Sequence, residues 1–476
     1  MVPHLVTALT GPINELEQRI LESMPAIERW FRLEWMEHTP PIYSSVDLRN
    51  AGFKLAPVDT NLYPGGWNNL TTEMLPLAVQ AAMAAIEKIC PEAKNLLLIP
   101  ENHTRNTFYL SNVVQLQRIF GQAGLNVRLG TLNPEITEPT EVQLPNGESV
   151  LLEPLIRTKH RLGLKNFDPC TILVNNDLSA GTPDVLRNLH EQFLLPPLHA
   201  GWSIRRKSTH FEAYEEVAKR FAKMLGMDHW LINPMFERCG EVNFADGTGM
   251  DCLRTHTESL LNRIKRKYKD YGINEKPFVV VKADNGTYGM GIMTVRDVSD
   301  LDALNRKSRN KMNVIKDGQT VSDVIIQEGV LTHERINETV AEPVVYMLDR
   351  YVVGGFYRVH AERGVDENLN APGASFVPLA FEQSATLPEP GAKPGVSAPN
   401  RFYMYGVVAR LAMLAASYEL EATDPNAEQY DLGTAIPLQV AAVQQNDDLL
   451  KLSLGKRQEG AQNLHPLSNS RWPAVR

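Results

Sequence analysis

Lys282 ends a β-branched run, Val279-Val280-Val281, and a loop of small residues follows from Asp284 to Gly291. Gly286, Gly289 and Gly291 space that loop, with Thr287 and Tyr288 between them, and a second apolar run, Ile292 to Val295, comes straight after. In a strand, Gly-rich loop, strand arrangement, backbone N–H groups can approach phosphate oxygens closely. A lysine at the strand end adds a point charge for the same oxygens. Hairpin turns also use glycine, so this stretch alone does not separate kinases, dehydrogenases and ligases. No Gly-Lys-Ser/Thr closes the loop, so a Walker A site is excluded, and the run after it reads as strand, unlike a dinucleotide fingerprint.

Two later segments carry complementary chemistry. Val324 to Glu328 reads as a strand ending in Gln327 and Glu328. Its backbone can hold an adenine and leave Glu328 for a ribose. Arg350 and Arg358 flank Gly354-Gly355, read as a turn between strands. Arginines can clamp a transferring phosphoryl group. Glu367, Asn368 and Asn370 follow, and hard oxygen ligands of this kind suit Mg2+.

These residues need elements to position them. Apolar spacing predicts an amphipathic helix over 12–37 and helices over 75–89 and 107–123. Short apolar runs predict strands at 96–99, 127–132 and 171–174, with another helix near 182–195. Strands alternating with helices imply a parallel sheet, and ligand groups collect beyond the carboxyl ends of such strands. Glu101, Asn102 and Arg105 follow the first strand, and Asn175 to Ser179 follow the third, where they could equally make turns and caps. Residues 40–72 read as a polar loop, and a loop so long is uncommon unless functional or disordered. Its Phe53, Leu55, Val58, Leu62 and Trp67 argue against disorder. Residues 212–275 read as helix and loop, with the basic run 263–269 on a solvated face. From 278 short strands follow, at 278–282, 291–296, 323–328, 343–352 and 374–380, with helices at 299–306 and 402–417. The expected architecture is an N-terminal parallel-sheet α/β domain over 1–255, then an α+β domain over 256–455. Its lid part spans 276–330 and its catalytic part 331–455. An exposed loop at 385–400 and a disordered tail at 456–476 complete the reading.

A net charge of −8 argues against nucleic acid as the main partner. Cys90, Cys170, Cys239 and Cys252 form no CxxC pair and join no His cluster at metal spacing. Neither a disulfide framework nor a structural zinc site is expected, and a reducing cytoplasm fits. The N-terminus has no signal-peptide pattern, and no apolar run approaches the ~18 residues of a membrane span. The oligomeric state is left open.

Taken together, Lys282 with its loop, the Gln327–Glu328 strand end and the Arg350–Arg358 segment resemble the ATP-grasp superfamily. The spacing Arg350-x3-Gly-Gly-x2-Arg358, then Asn368-Leu369-x-Ala371, is similar to bacterial glutathione synthetase, with extra residues between Arg358 and Asn368. Over nearly all of residues 1–450 the chain resembles the proteobacterial, Thiobacillus-type ATP-grasp glutamate–cysteine ligases. The carriers are SVDLRNAGFKLAPVDTNLYPGGWNNL (45–70), LLLIPENHTRNTFYL (96–110), KADNGTYGMGI (282–292) and GGFYRVHAERGVDENLNAPG (354–373). The resemblance implies a pre-ATP-grasp-like domain followed by an ATP-grasp domain, use of ATP and Mg2+, and L-glutamate and L-cysteine as substrates. The reaction would be the first step of glutathione biosynthesis, through a γ-glutamyl phosphate.

The resemblance also implies roles for single residues. Lys282 and Gly286, Thr287, Tyr288, Gly289 and Gly291 would hold the ATP phosphates, and Gln327 and Glu328 the nucleoside. Arg350 and Arg358 would stabilise the moving phosphoryl group. The family's Glu-x-Asn metal pair has no clear copy here; Glu367, Asn368 and Asn370 stand in for it, with Glu419 and Glu421 as the other substitute. Arg49, Lys54 and Arg105 would meet substrate carboxylates, and Asp59, Asn61, Asn68, Glu101, Asn102, Arg205 and Arg206 the remaining substrate groups. Glutathione synthetase, another ATP-grasp amino-acid ligase and a non-catalytic nucleotide-binding regulator are the alternatives.

Overall fold

Residues 12–37 form two helices, α1 (Pro12–Glu22) and α2 (Met24–Glu37), where one was expected. The break falls at Ser23 because Pro25 has no N–H to continue α1 and is tolerated only in the first turn of a new helix. The computed structural model describes residues 5–6, 11–102, 107–285, 291–304, 312, 322–378 and 401–427. The expectations for Arg105, for Gly286, Thr287, Tyr288 and Gly289, for the end of the 299–306 helix, for 385–400 and for the tail lie outside the described residues.

The stretch 40–72 corrects the loop reading. It holds two antiparallel strands, β1 (Tyr43–Asn50) and β2 (Leu55–Asn61). They escaped detection because they are covered on both faces, with Ser44, Ser45, Asn50 and Thr60 all buried. A polar strand buried on both sides shows no alternation. Next come α3 (Leu75–Ile89), β3 (Asn95–Pro100), α4 (Thr107–Gln122), β4 (Asn126–Thr131), β5 (Thr140–Gln143), β6 (Ser149–Pro154), β7 (Thr171–Asn175) and β8 (Phe193–Leu195). They build a six-stranded sheet in the order β8-β7-β3-β4-β6-β5. Its strands pair in parallel except β5, as the alternation of strand and helix requires. The helix expected near 182–195 is absent. Pro183 opens a single 3-10 turn, Asp184–Leu186, and Asn188 turns the chain through φ 55°, which no helix continues.

The next elements are α5 (Lys207–Leu225), β9 (Phe236–Cys239), α6 (Met250–Asp270), β10 (Val279–Ala283), β11 (Ile292–Val295) and β12 (Val324–Glu328). The four strands form an antiparallel sheet in the order β9-β12-β10-β11. Lys282 lies opposite Ile292 on β11, so the two strands read on either side of the loop pair with each other.

The last elements are β13 (Arg335–Ile336), β14 (Thr339–Leu348), β15 (Tyr351–Val359), β16 (Ser375–Pro378) and α7 (Phe402–Ala422). They share a seven-stranded sheet with Leu5–Val6, β1 and β2, and β14 pairs with both β1 and β15. Strands 43–61 therefore complete a sheet built, apart from Leu5–Val6, from residue 335 onward. Gly354-Gly355 lies inside β15, and the turn falls instead at Asp349-Arg350, with Asp349 at φ 52°. Gly354 has φ +156°, and a Cβ there would sit 2.6 Å from Met74 Sδ, so the glycine admits α3 against the strand. In α7, 16 of 21 residues are buried, including every residue from Phe402 to Ala409. A helix apolar all round belongs inside a core, and α7 packs against α5, β2 and β14. Residues Met1–Thr423 form one compact unit, and Asp424–Arg476 a second, of which 424–427 are described.

Candidate active site

Asp47 on β1 lies directly opposite Asp59 on β2. Like charges at opposed strand positions repel, and here cations answer both. Arg358 donates to Asp47 at 2.7 Å and to Glu342 at 2.7 Å. Lys207 donates to Asp59 at 2.6 Å. Arg49 donates to Glu342 at 2.8 Å, and also to the carbonyls of Val330 at 3.3 Å and Glu367 at 2.5 Å. A register shift between Asp47 and Leu48 places a bulge at the acid, a device that re-aims side chains beside sites.

Burial raises the pKa of Glu342, but Arg49 and Arg358 overcome it and hold the carboxyl below its ordinary value. Burial likewise opposes the charge on Arg358, and Asp47 and Glu342 reverse that effect. Asp47 differs: burial, helped by Glu342 and Asp59, outweighs Arg358 and lifts its pKa. Asp47 is thus a half-buried acid short of positive charge.

Lys282 is the opposite case. Its Nζ donates to the Val58 carbonyl at 2.7 Å and to Gln327 Oε1 at 2.7 Å. Among the described residues it makes no ion pair. Burial pushes its pKa down to about 8, against the pull of Asp59. An ammonium held by neutral acceptors in a desolvated site is short of an anion. It lines a cavity with Arg49, Lys207, Gln327 and Thr294. A second, larger cavity is lined by Asn61, Asn68, Glu101, Asp177, Tyr346 and Arg358. Asp47, Asp59 and Asn370 line both, so the two spaces meet at those residues.

Most expected site residues gather here. Lys282, Gln327, Arg49, Asp59, Glu367, Asn368 and Asn370 line the smaller cavity, and Asn61, Asn68, Glu101 and Arg358 the larger. Gly291 heads β11 at φ +61°, its carbonyl accepting from Ala283 N–H at 3.1 Å.

Others land elsewhere. Arg350 is eight residues from Arg358 along an extended strand, roughly 26 Å at ~3.3 Å per residue. It lines a separate cavity with Tyr351, Phe402 and Tyr403. Glu328 lines the smaller cavity beside Gln327, but its carboxylate accepts from Lys54 Nζ at 2.7 Å, Trp230 Nε1 at 2.9 Å and Met235 N–H at 2.9 Å. Those bonds occupy both the expected ribose contact and the expected substrate contact, because Lys54 and Glu328 are buried against each other. Arg205 is a fork onto Glu419, at 2.7 and 3.0 Å, and it also donates to the Thr60 carbonyl. Glu419 is thereby taken out of any metal role; burial raises its pKa, and Arg205 and His210 reverse this and bring it to about 2. Arg206 donates to the carbonyls of Ile204 and Arg205, both at 2.9 Å. Asn102 is exposed. Glu367 accepts from Gly364 N–H at 2.7 Å and Asn368 Oδ1 from Asn370 N–H at 3.0 Å, so both carry hydrogen bonds of their own loop.

Asp47, Lys207, Glu342 and Asp177 are the site residues to which sequence reasoning gave no role of their own, although Asp177 stands in the polar end of a predicted strand. The available signal was a charge set within a buried strand: Asp47 stands in YSSVDLRN and Glu342 in TVAEPVVYML.

No helix among the described residues is long and apolar enough to cross a membrane. A comparison with curated proteins finds no match. A crystal structure from Methylobacillus flagellatus KT, provisionally named gamma-glutamylcysteine synthetase, is 60% identical. The alignment covers 89% of this chain and 100% of that chain with a TM-score of 0.82. A glutathione synthetase-like effector from Globodera pallida is 10% identical over 77% of this chain and 84% of its own, with a TM-score of 0.35. D-alanyl-alanine synthetase A from Vibrio cholerae is 12% identical over 67% and 81%, with a TM-score of 0.30. Likenesses that loose carry no argument about this chain. The family model for glutamate-cysteine ligase matches residues 17–420, nearly the whole compact unit, and the chain belongs to that family.

Proposed function

We propose that the smaller cavity takes ATP and the larger one the amino acids, and that phosphoryl transfer occurs where they meet. The observation that carries this reading is Lys282, a buried ammonium without an anion, in a cavity that meets a polar one at Asp47, Asp59 and Asn370. Lys282 and Lys207 then neutralise the ATP phosphates, and Gln327 with the β12 backbone holds the base. Arg358, between the acids of the junction, stabilises charge on the moving phosphoryl group. Asn61, Asn68, Glu101 and Asp177 offer carbonyl and carboxylate oxygens to the amino-acid ammonium groups.

The glutamate γ-carboxylate takes the terminal phosphoryl group; the new C–O–P bond forms as the β–γ phosphoanhydride breaks and ADP leaves. The cysteine amine, having lost a proton, attacks the acyl carbon. The C–N bond forms, inorganic phosphate leaves, and γ-glutamylcysteine results. Such chemistry needs positioning and charge neutralisation rather than a protein nucleophile. Mg2+ fits Asp47 and Asn370, which present hard oxygen donors where the cavities meet, and the lifted Asp47 supports a cation there. When bound, it would supply charge neutralisation on the phosphoryl oxygens. We place the reaction in the cytoplasm.

Coupled ADP release with glutamate and cysteine, each omitted in turn, tests the assignment. ADP is expected at full rate only with both. Full-rate release with γ-glutamylcysteine and glycine, and none with glutamate and cysteine, would overturn it.

A further inference from the structure

Away from these cavities, α6 and β9 bring together three side chains that the ligase chemistry does not use. We propose that Cys239, Cys252 and His256 bind one thiophilic divalent cation of the Zn2+ class, which staples α6 to the edge of the nucleotide-side sheet.

One ligand atom from each residue lies within 4.8 Å of the others. The Sγ atoms of Cys239 and Cys252 are neighbours, 2.8 Å apart, and separate to about 3.8 Å when both bind one tetrahedral zinc at ~2.3 Å. Cys252 and His256 are four residues apart on α6, so they share a face of the helix. Cys252 is the third residue of the 21-residue helix α6. His256 Nδ1 is buried and has no hydrogen-bond partner among the described residues. The Glu237 carboxylate stands 3.7 Å from it, and Arg263 donates to the other Glu237 oxygen at 2.5 Å.

Two sulfurs and one imidazole are the soft donor set of zinc sites. Two thiolates and a neutral imidazole balance a divalent charge, and each thiol releases its proton on binding. Water or Glu237 completes the tetrahedron. The site lies opposite Val324, at the start of the strand that carries Gln327, so the ion has a structural role for that sheet. Cys90 and Cys170 are an internal control: their Sγ atoms are 2.7 Å apart, yet among the described residues no third ligand joins them.

The test uses the full chain, reduced and stripped with chelator, titrated with Co2+ under argon. Expected are one cobalt per chain, the intense visible bands of a tetrahedral site and a sulfur-to-cobalt charge-transfer band. Cys239→Ser or Cys252→Ser should abolish the bands, His256→Gln should weaken binding at least about tenfold, and Cys90→Ser should leave them unchanged. Circular dichroism of each metal-free variant should match metal-free wild type, so that lost binding is not lost folding. No thiolate–cobalt spectrum in the reduced chain, bands that survive Cys252→Ser, bands lost in Cys90→Ser, or a chain that only forms a Cys239–Cys252 disulfide would each overturn the proposal.

Discussion

Lys282 sets the pH behaviour expected at the level of single residues. Its pKa of about 8 in the free protein means that the ammonium is lost as pH rises through 8. Since the charged form is the one that meets phosphate, kcat/KM for ATP should fall above pH 8. Lys282→Arg, whose charge persists, should lose that fall even if its turnover is low, while Lys282→Met should lose turnover at every pH. A pH profile for the arginine variant that overlays wild type would remove Lys282 from the phosphate site. The stability term has the opposite direction. Between about 8 and the ordinary lysine value the unfolded chain binds more protons, so this group favours folding more as pH rises. Arg358 makes a different prediction, since Asp47 and Glu342 depend on it together. Arg358→Ala leaves the half-buried Asp47 without its cation beside Glu342, which keeps only Arg49, and should cost about 3 kcal/mol. Adding Glu342→Gln should recover part of that in urea melts without restoring turnover; recovery of neither, or of both, would contradict the geometry. Lys282 and Gln327 were legible because each sits in a local pattern of strand and loop. Asp47 and Glu342 were not, because their partners lie far along the chain: Arg49 and Glu342 are 293 residues apart.

Among the elements, the β1–β2 hairpin decides what is structural and what is chemical. Its polar sequence reads as a substrate loop, yet the hairpin is core sheet, and only some of its side chains reach a cavity. Asp47, Asp59 and Asn61 do; Lys54, between the strands, turns into the protein and meets Glu328 and the Trp230 ring face at 4.3 Å. Burial pushes the Lys54 ammonium down to about 8 in spite of Glu328, so this pair costs desolvation on both sides. Lys54→Met should therefore lower stability by about 3–5 kcal/mol and leave KM for glutamate unchanged in the folded fraction. Melting curves beside steady-state kinetics separate the two effects; a raised KM at unchanged stability would return Lys54 to the substrate. The parallel strands β3, β4 and β7 were legible from their apolar runs. The 43–61 hairpin was misread because both of its faces are covered, so its composition shows no alternation. The 182–195 helix was misread for a local reason, the backbone at Pro183 and Asn188.

At the scale of the whole molecule, residues before 62 and after 335 share one sheet, and α7 runs through the middle of it all. The expected division near residue 255 therefore has a thermodynamic consequence that can be measured. We propose that 11–423 unfolds as a unit, because one apolar cluster joins Ile13 on α1, Leu98 on β3, Phe221 on α5, Val345 on β14 and Ala415 on α7. Glu419 joins the polar side of that core. It accepts from Arg205 and sits 2.9 Å from His210 Nδ1, tying α7 to α5 and, through Arg205, to the β2 backbone. Its folded pKa of about 2 lies below the ordinary 4.5, so its contribution is fully present above pH 4.5 and is lost as pH falls through 2. That difference corresponds to about 3 kcal/mol. Glu419→Gln should lower the urea midpoint at pH 7 while leaving a single transition. The gap between variant and wild type should shrink as the pH is lowered from 4.5 toward 2, where the wild-type carboxylate is protonated too. Monitoring Trp230, within the four-stranded sheet's core, and Trp67, within the seven-stranded sheet's core, in single-tryptophan backgrounds reports the two cores separately. Coincident curves are expected in wild type and in Glu419→Gln. Midpoints that differ between the two probes in wild type would mean that the two cores unfold separately, and would overturn the single unit.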